Sequence, residues 1–338
     1  MIKFFKRCVL LALIGLLATA AGIAYWANQA LIEAGQAPVA FTVEPGSGVR
    51  SVTQQIARQL SLHQITIHPI MLELVARSTN KAKKLKAGNY ELKPGTTPLG
   101  LLVQLTRGQF AQESLVIIEG WTFKQMRQAV AQNPALKHDT VALSDAELLA
   151  KITTSFNLPE GLFFPDTYLF GKGTSDLIIY RQAHATLLKK LDSAWQKRDP
   201  SLPYKSSYEA LTMASIIEKE TGQRSERGMI AGVFINRLKS RMLLQTDPTV
   251  IYGMGDAYQG TIHKSDLQRD TPFNTYTREG LPPSPISLPG KAALKAALNP
   301  DKTDALYFVA RGDGSSAFST NLQDHNRAVN QYQRMSSR

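Results

Sequence analysis

Cysteine is almost absent: Cys8 is the single example in 338 residues. No intrachain disulfide can therefore form, and the chain beyond its N-terminus has neither a thiolate metal site nor a cysteine nucleophile. Histidine is scarce as well. The six residues (His63, His68, His138, His184, His263 and His325) show no i, i+4 pair and no His-Glu-x-x-His arrangement, so nothing in the pattern supports zinc. Acidic residues are outnumbered 27 to 39, giving a net charge of +12. The basic residues are scattered, however, and match no nucleic-acid-binding motif, so no nucleic acid is expected as partner. Anionic lipid headgroups or an acidic polymer account for the same charge. With 43% hydrophobic and 20% charged residues, large-scale disorder is also excluded.

Charge is missing altogether from Cys8 to Ala27. At about 1.5 Å per helical residue this run covers about 30 Å, the thickness of a bilayer core. Lys3, Lys6 and Arg7 precede it, and the first charge after it is the acidic Glu33. The positive-inside rule then leaves residues 1–7 in the cytoplasm, makes 8–27 a transmembrane anchor and exports the rest. Tyr25 and Trp26 stand where an interfacial aromatic belt belongs. Ala18-Thr19-Ala20 offers a small-x-small signal cleavage pattern as the alternative, but the apolar run continues unbroken through Trp26, which favours a retained anchor.

The length suggests two folded units beyond the anchor. After a linker over 28–39, three segments repeat one pattern of β-prone stretch, glycine turn, Ser or Thr, and amphipathic helix. They begin at Phe41-Thr42-Val43, at Tyr90-Glu91-Leu92 and at Val116-Ile117-Ile118. Ser47, Thr96-Thr97 and Thr122 are the candidate helix caps. The first two segments bracket residues 40–109, in which strands near Phe41–Val43 and Tyr90–Leu92 can pair around helices starting near Val49 and Pro69. This module resembles LysM, a domain that binds peptidoglycan sugars; a plain structural spacer reads the same pattern.

Helices are expected near 176–197, 206–221 and 224–240. The stretch Leu281-Pro282-Pro283-Ser284-Pro285 cannot be a central strand. Ala305–Ala310 and Ala317–Ser319 flank Gly312-Asp313-Gly314 as a hairpin, and Thr320 with Gln323 forms a capping box for the last helix. Residues 110–338 thus read as a helix-rich α+β domain, and the fold class as α+β.

One carboxylate stands out. Glu218 follows Ile216 and Ile217 in a helical run, where partial desolvation would keep it protonated as a general acid near neutral pH. Glu220, about 200° further round the helix, is not its partner. Asp247 before Pro248 reads equally as a helix N-cap, and Asp166 between Pro165 and Thr167 as a turn residue. Ser78-Thr79-Asn80-Lys81 matches a Ser-x-x-Lys nucleophile motif, but no Lys-Thr-Gly follows and it is read as coincidence.

Three long stretches, 214–221 (Ala-Ser-Ile-Ile-Glu-Lys-Glu-Thr), 233–238 (Val-Phe-Ile-Asn-Arg-Leu) and 244–253 (Leu-Gln-Thr-Asp-Pro-Thr-Val-Ile-Tyr-Gly), resemble the endolytic murein transglycosylases of the MltG (YceG-like) family. So do Glu160-Gly161, Phe164-Pro165-Asp166-Thr167-Tyr168, Tyr276 within 273–277 and Gly280-Leu281-Pro282-Pro283. The resemblance implies that Glu218 is catalytic, and that one carboxyl protonates the oxygen leaving N-acetylmuramic acid and then deprotonates the sugar's own C6 hydroxyl. A two-carboxylate hydrolase, with Asp166 or Asp247 assisting, and a non-catalytic glycan-binding scaffold are the rival readings. Asn236, Gln245 and Asn274 are candidates to hydrogen-bond sugar, Tyr252 and Tyr276 to stack on it, and Asp247 to take part in substrate binding. No cofactor is implied; the implied partners are peptidoglycan strands, inner-membrane lipid and the peptidoglycan synthases.

Overall fold

The computed structural model describes residues 2–220 and 223–334, so Thr221, which closes the first of the family-like stretches, lies outside the described residues. The chain mixes helix and sheet and divides into two compact units: residues 1–113 with 170–172, and residues 114–169 with 173–338.

The first unit opens with α1 (Ile2–Ala27), within which Phe4–Ala27 is long and apolar enough to cross a membrane. Strands β1 (Val39–Val43) and β2 (Gly88–Leu92) pair antiparallel, with Phe41 opposite Tyr90. Between them run α2 (Val49–Ser61) and α3 (Pro69–Ser78), starting where the apolar periodicity predicts, and α4 (Pro98–Arg107) follows. Phe41, Val52, Ile56, Leu72, Tyr90, Leu101 and Leu105 form one buried core. Thr97 caps α4 by accepting from Gly100 N, and Gly108 ends it in the left-handed conformation at φ 71°. Ser47 does not act as a cap: Gly48 takes that position, and the Ser47 hydroxyl accepts from Gln55 Nε2 instead. The stretch before β1 is more than a tether. Ile32 is buried, and Leu31 N and Ile32 O bond to Thr96 O and Gly95 N, so residues 31–32 and the last residue of α1, Ala27, belong to the core of this unit.

The second unit is built mainly of helices. It holds α5 (Phe123–Gln132), α6 (Asp145–Ala150), α7 (Asp176–Gln196), α8 (Ser207–Glu220), α9 (Arg227–Lys239), α10 (Asp247–Met254), α11 (Lys264–Gln268), α12 (Lys291–Leu298) and α13 (Leu322–Val329). Every residue of α8 from Ala210 to Ile217 is buried, since α7, α9, α10 and α12 all pack against it. The proline-rich segment after Leu281 is irregular, as expected, and is fastened to α8 by side chains: Ser215 Oγ accepts from Ile286 N (2.9 Å), and Ser287 Oγ donates to Ser215 O (3.1 Å). The strands Tyr307–Ala310 and Ser316–Ser319 pair antiparallel, forming the expected hairpin. The cap of α13 is Asn321, which accepts from Asp324 N, in place of Thr320. Asp247 is likewise no cap: it is the first residue of α10, and Thr246 precedes it in extended conformation.

Candidate functional site

Helix α8 runs apolar for most of its length because it lies at the centre of the unit, and its last turn carries the first polar groups. There the Glu218 side chain is 4% exposed. Its Oε1 lies 2.6 Å from Nη2 of Arg227, itself 8% exposed, and its Oε2 accepts from Gly290 N at 2.9 Å. The shelter expected for this carboxyl is present. It comes with a buried guanidinium, so Glu218 is ion-paired, and both contacts favour its charged form. Arg227 begins α9, and Gly290 ends the irregular segment and caps α12.

A second strip of chain closes over the same carboxylate. Lys219 Nζ donates to Gly120 O at 3.3 Å. Gly120 adopts φ +79°, and a Cβ there would sit 3.7 Å from Glu218 Cγ. Glu119 reaches close to Gly290: a Cβ built there would fall 1.9 Å from Glu119 Oε1, so the exposed Glu119 side chain would have to move aside for any residue larger than glycine. Glu119 is thereby a second carboxylate beside the Gly290–Glu218 contact, exposed where Glu218 is buried. Sequence reading missed Glu119 and Arg227. The glycine turn at 119–120 is a visible signal, but nothing in the pattern marks it as part of a site rather than a bend.

Two further carboxylates have their own surroundings. Glu220 accepts from Thr246 Oγ1 at 2.8 Å; burial, with Asp247 adding to it, pushes its carboxyl up to about 7 against the pull of Arg237. Tyr276 donates to Asp247 Oδ1 at 2.5 Å. Glu160 is 5% exposed and accepts from Phe123 N, the first N–H of α5, at 3.0 Å and from Tyr252 Oη at 3.2 Å. Desolvation outweighs these bonds and pushes Glu160 up to about 7.

A carboxyl whose ordinary value is 4.5 and whose folded value is about 7 binds its proton more tightly folded than unfolded. Its contribution to stability is complete below the unfolded value and is lost as pH rises through about 7. The loss from Glu160 alone is at most about 3 kcal/mol. Glu160→Gln is expected to flatten the fall in stability between pH 5 and 8, measured as the denaturant midpoint across that range. An unchanged slope would show that Glu160 titrates as an ordinary carboxyl.

The candidate residues scatter into different roles. Gln245 is exposed, at φ 50°, with its backbone N held by Thr275 O. Tyr252 and Tyr276 are half-buried and hydrogen-bonded to carboxylates, and Tyr252 meets the Phe273 ring edge-on at 4.8 Å between centroids. The two asparagines have partners within the fold. Asn236 Nδ2 donates to Thr303 O and Ala305 O, and Asn274 Nδ2 donates to Asp266 O, Leu267 O and Arg269 O. Asn236 thus serves the stretch before the C-terminal hairpin and Asn274 the end of α11, and both Nδ2 groups are engaged by backbone carbonyls within the fold. Asp166 is exposed and accepts from Thr167 N, a turn arrangement. Among the described residues no cluster of three or more His, Cys, Asp or Glu is placed to hold a metal ion.

Comparison with known proteins converges on one family. Residues 41–331 match the model of the YceG-like family. The chain is 34% identical over 270 residues to the endolytic murein transglycosylase of Bacillus subtilis, covering 74% of each protein. It is 31% identical over 328 residues to the endolytic murein transglycosylase of Streptococcus pneumoniae strain D39, covering 86% of this chain and 58% of that longer protein. A crystal structure of a YceG-like protein from Listeria monocytogenes superposes with a TM-score of 0.52 at 30% identity, covering 87% of this chain and 99% of that one. With the match running through both compact units, the chain belongs to the YceG-like family.

Proposed function

We propose that this protein is an endolytic peptidoglycan lytic transglycosylase. It cuts the β-1,4 bond between N-acetylmuramic acid and N-acetylglucosamine within nascent glycan strands and leaves a 1,6-anhydro-muramyl end, which terminates elongation. The observation that carries the reading is Glu218: a carboxylate 4% exposed at the end of a buried helix, in a setting built from three separate parts of the chain. The names borne by the Bacillus and Streptococcus relatives support it.

The reaction needs one group to act twice. Glu218 as an acid protonates the departing glycosidic oxygen; as a carboxylate it then takes the proton of the C6 hydroxyl, which closes on C1. Because the nucleophile belongs to the substrate, neither an activated water nor a carboxylate nucleophile is required. Exposed Gln245 is assigned to sugar contact, and Asp247, Tyr252 and Tyr276 to the walls of the binding region, where the two tyrosine hydroxyls are engaged by Asp247 and Glu160.

In this reading α1 is a single-pass inner-membrane anchor, with residues 1–7 cytoplasmic and the catalytic domain, 110–338, on the extracytoplasmic side. Residues 40–109 are a LysM-like module on the stalk, with peptidoglycan synthases as partners. Mass spectrometry of products released from sacculi tests the chemistry. Anhydro-muramyl ends are expected; reducing ends would overturn the lyase reading in favour of a hydrolase, and no release at all would favour a binding scaffold.

A further inference from the structure

Among the described residues of the second unit two arginines are buried, and they differ in a way that sets Arg227 apart. Arg237 is a structural tie: its Nε donates to Leu306 O at 2.7 Å, and its Nη1 to Leu244 O at 2.8 Å and Leu243 O at 3.3 Å. Arg227, equally buried, uses only Nη2, on Glu218, while its Nε and Nη1 are buried with no hydrogen-bond partner among the described residues. Buried donors are ordinarily satisfied, and an exception calls for an explanation. A guanidinium that served only to hold the fold would look like Arg237.

The geometry of the group narrows what the spare donors are for. A guanidinium binds a carboxylate through either of two edges, Nε with Nη2 or Nη1 with Nη2, and each edge includes Nη2. Nη2 carries one N–H on each edge, so an incoming carboxylate displaces Glu218 Oε1 when it takes the edge whose Nη2 hydrogen Glu218 holds. The resting pair also poses a chemical problem, because a carboxylate stabilised by a guanidinium and by Gly290 N–H is poorly prepared to act as an acid.

We infer that Arg227 is a switch operated by substrate: a carboxylate carried by the muramyl residue or its stem peptide takes the guanidinium edge, releases Glu218, and lets it accept a proton from water to become the general acid. The inference rests on the glycan-cleaving reading above and deepens it. Apart from the O–H bond that forms on Glu218 as a hydronium O–H bond of the solvent breaks, no covalent bond changes in the exchange. One ion pair replaces another, and one proton moves from solvent to Glu218. Arg227 is a specificity-determining group in this scheme, selecting strands that bear a free carboxylate near the scissile bond.

The test compares kcat/KM, read as anhydro-ended products, on three forms of purified glycan strand: with stem peptides intact, with stems removed to expose the lactyl carboxylate, and with all carboxylates amidated. The wild-type full chain is expected to lose about 10- to 100-fold on amidated strands, the range for a charged hydrogen-bonded contact. Comparing intact with stem-free strands tells which carboxylate is read. Arg227→Met is expected to lose a similar factor on intact strands and to be indifferent to amidation, and Arg227→Lys, which keeps the charge but not the edge, to recover only part. Equal sensitivity of wild type and Arg227→Met to amidation, or none in the wild type, would overturn the switch while leaving the lyase assignment standing. Absence of anhydro ends from the wild type would instead overturn the lyase assignment itself. Should Arg227→Met fail to fold, the amidation series on wild type and Arg227→Lys decides alone.

Discussion

Glu218→Gln is expected to reduce turnover on glycan strands by about 10³-fold or more, since general acid–base catalysis contributes roughly 10²–10⁴-fold and here one group serves both half-reactions. Glutamine has the size of glutamate, and its Oε1 can still accept from Arg227 or from Gly290 N, but it can neither give nor take the proton. The substitution also leaves the buried Arg227 without a counter-charge, and breaking such a pair destabilises by about 3–5 kcal/mol in unfavourable cases. Loss of activity must therefore be separated from loss of fold. Circular dichroism and the denaturant midpoint establish the folded fraction, and anhydro-ended products per folded molecule give the catalytic effect. Turnover within tenfold of wild type would remove Glu218 from the chemistry and return attention to Glu119 and Glu220.

Local structure was legible wherever a short-range rule governed it. Helices starting at Val49, Pro69 and Pro98 follow from apolar periodicity, and Thr97 and Thr122 cap because each stands immediately before a helix with its partner N–H three residues on. Ser47 fails one residue too early: Gly48 lies between it and the helix, so its hydroxyl turns to Gln55. At the C-terminal helix the same one-residue shift moves the cap from Thr320 to Asn321.

The site was only partly legible, for a different reason. Glu218 is conspicuous because a carboxylate ends a buried apolar helix. Arg227 and Gly290 are nine and 72 residues away, on elements whose approach to α8 depends on tertiary packing, and nothing local announces them. The backbone contacts of Asn236 and Asn274 were not legible either, because a polar side chain in a motif can serve the backbone as readily as a ligand. Carbonyls left unpaired by irregular chain must find donors, and that demand is visible only once the chain path is known.

That dependence on irregular chain makes Gly161→Ala the second severe change expected. Gly161 has φ +76°, and a Cβ there would fall 2.3 Å from Pro285 Cβ, a ring atom that cannot swing away. Left-handed backbone costs an alanine about 1–2 kcal/mol, and forcing a methyl into a packed interior adds about 1–3 kcal/mol. Gly173→Ala provides the control, since it has φ +82° and nothing within 4 Å of the added Cβ. Denaturant unfolding is expected to show Gly161→Ala losing about 2–5 kcal/mol and Gly173→Ala only about 1–2 kcal/mol. The larger loss has a functional consequence, because Pro285 leads into the segment where Ile286 and Ser287 clamp α8 and Gly290 N meets Glu218. Pushing Pro285 outward shifts the donor that orients the carboxylate, so the folded fraction of Gly161→Ala is expected to be about tenfold slower than wild type, as misplacement of a catalytic group by a fraction of an ångström would make it. Equal destabilisation by the two alanines would mean that the segment yields freely and does not hold Glu218 in place.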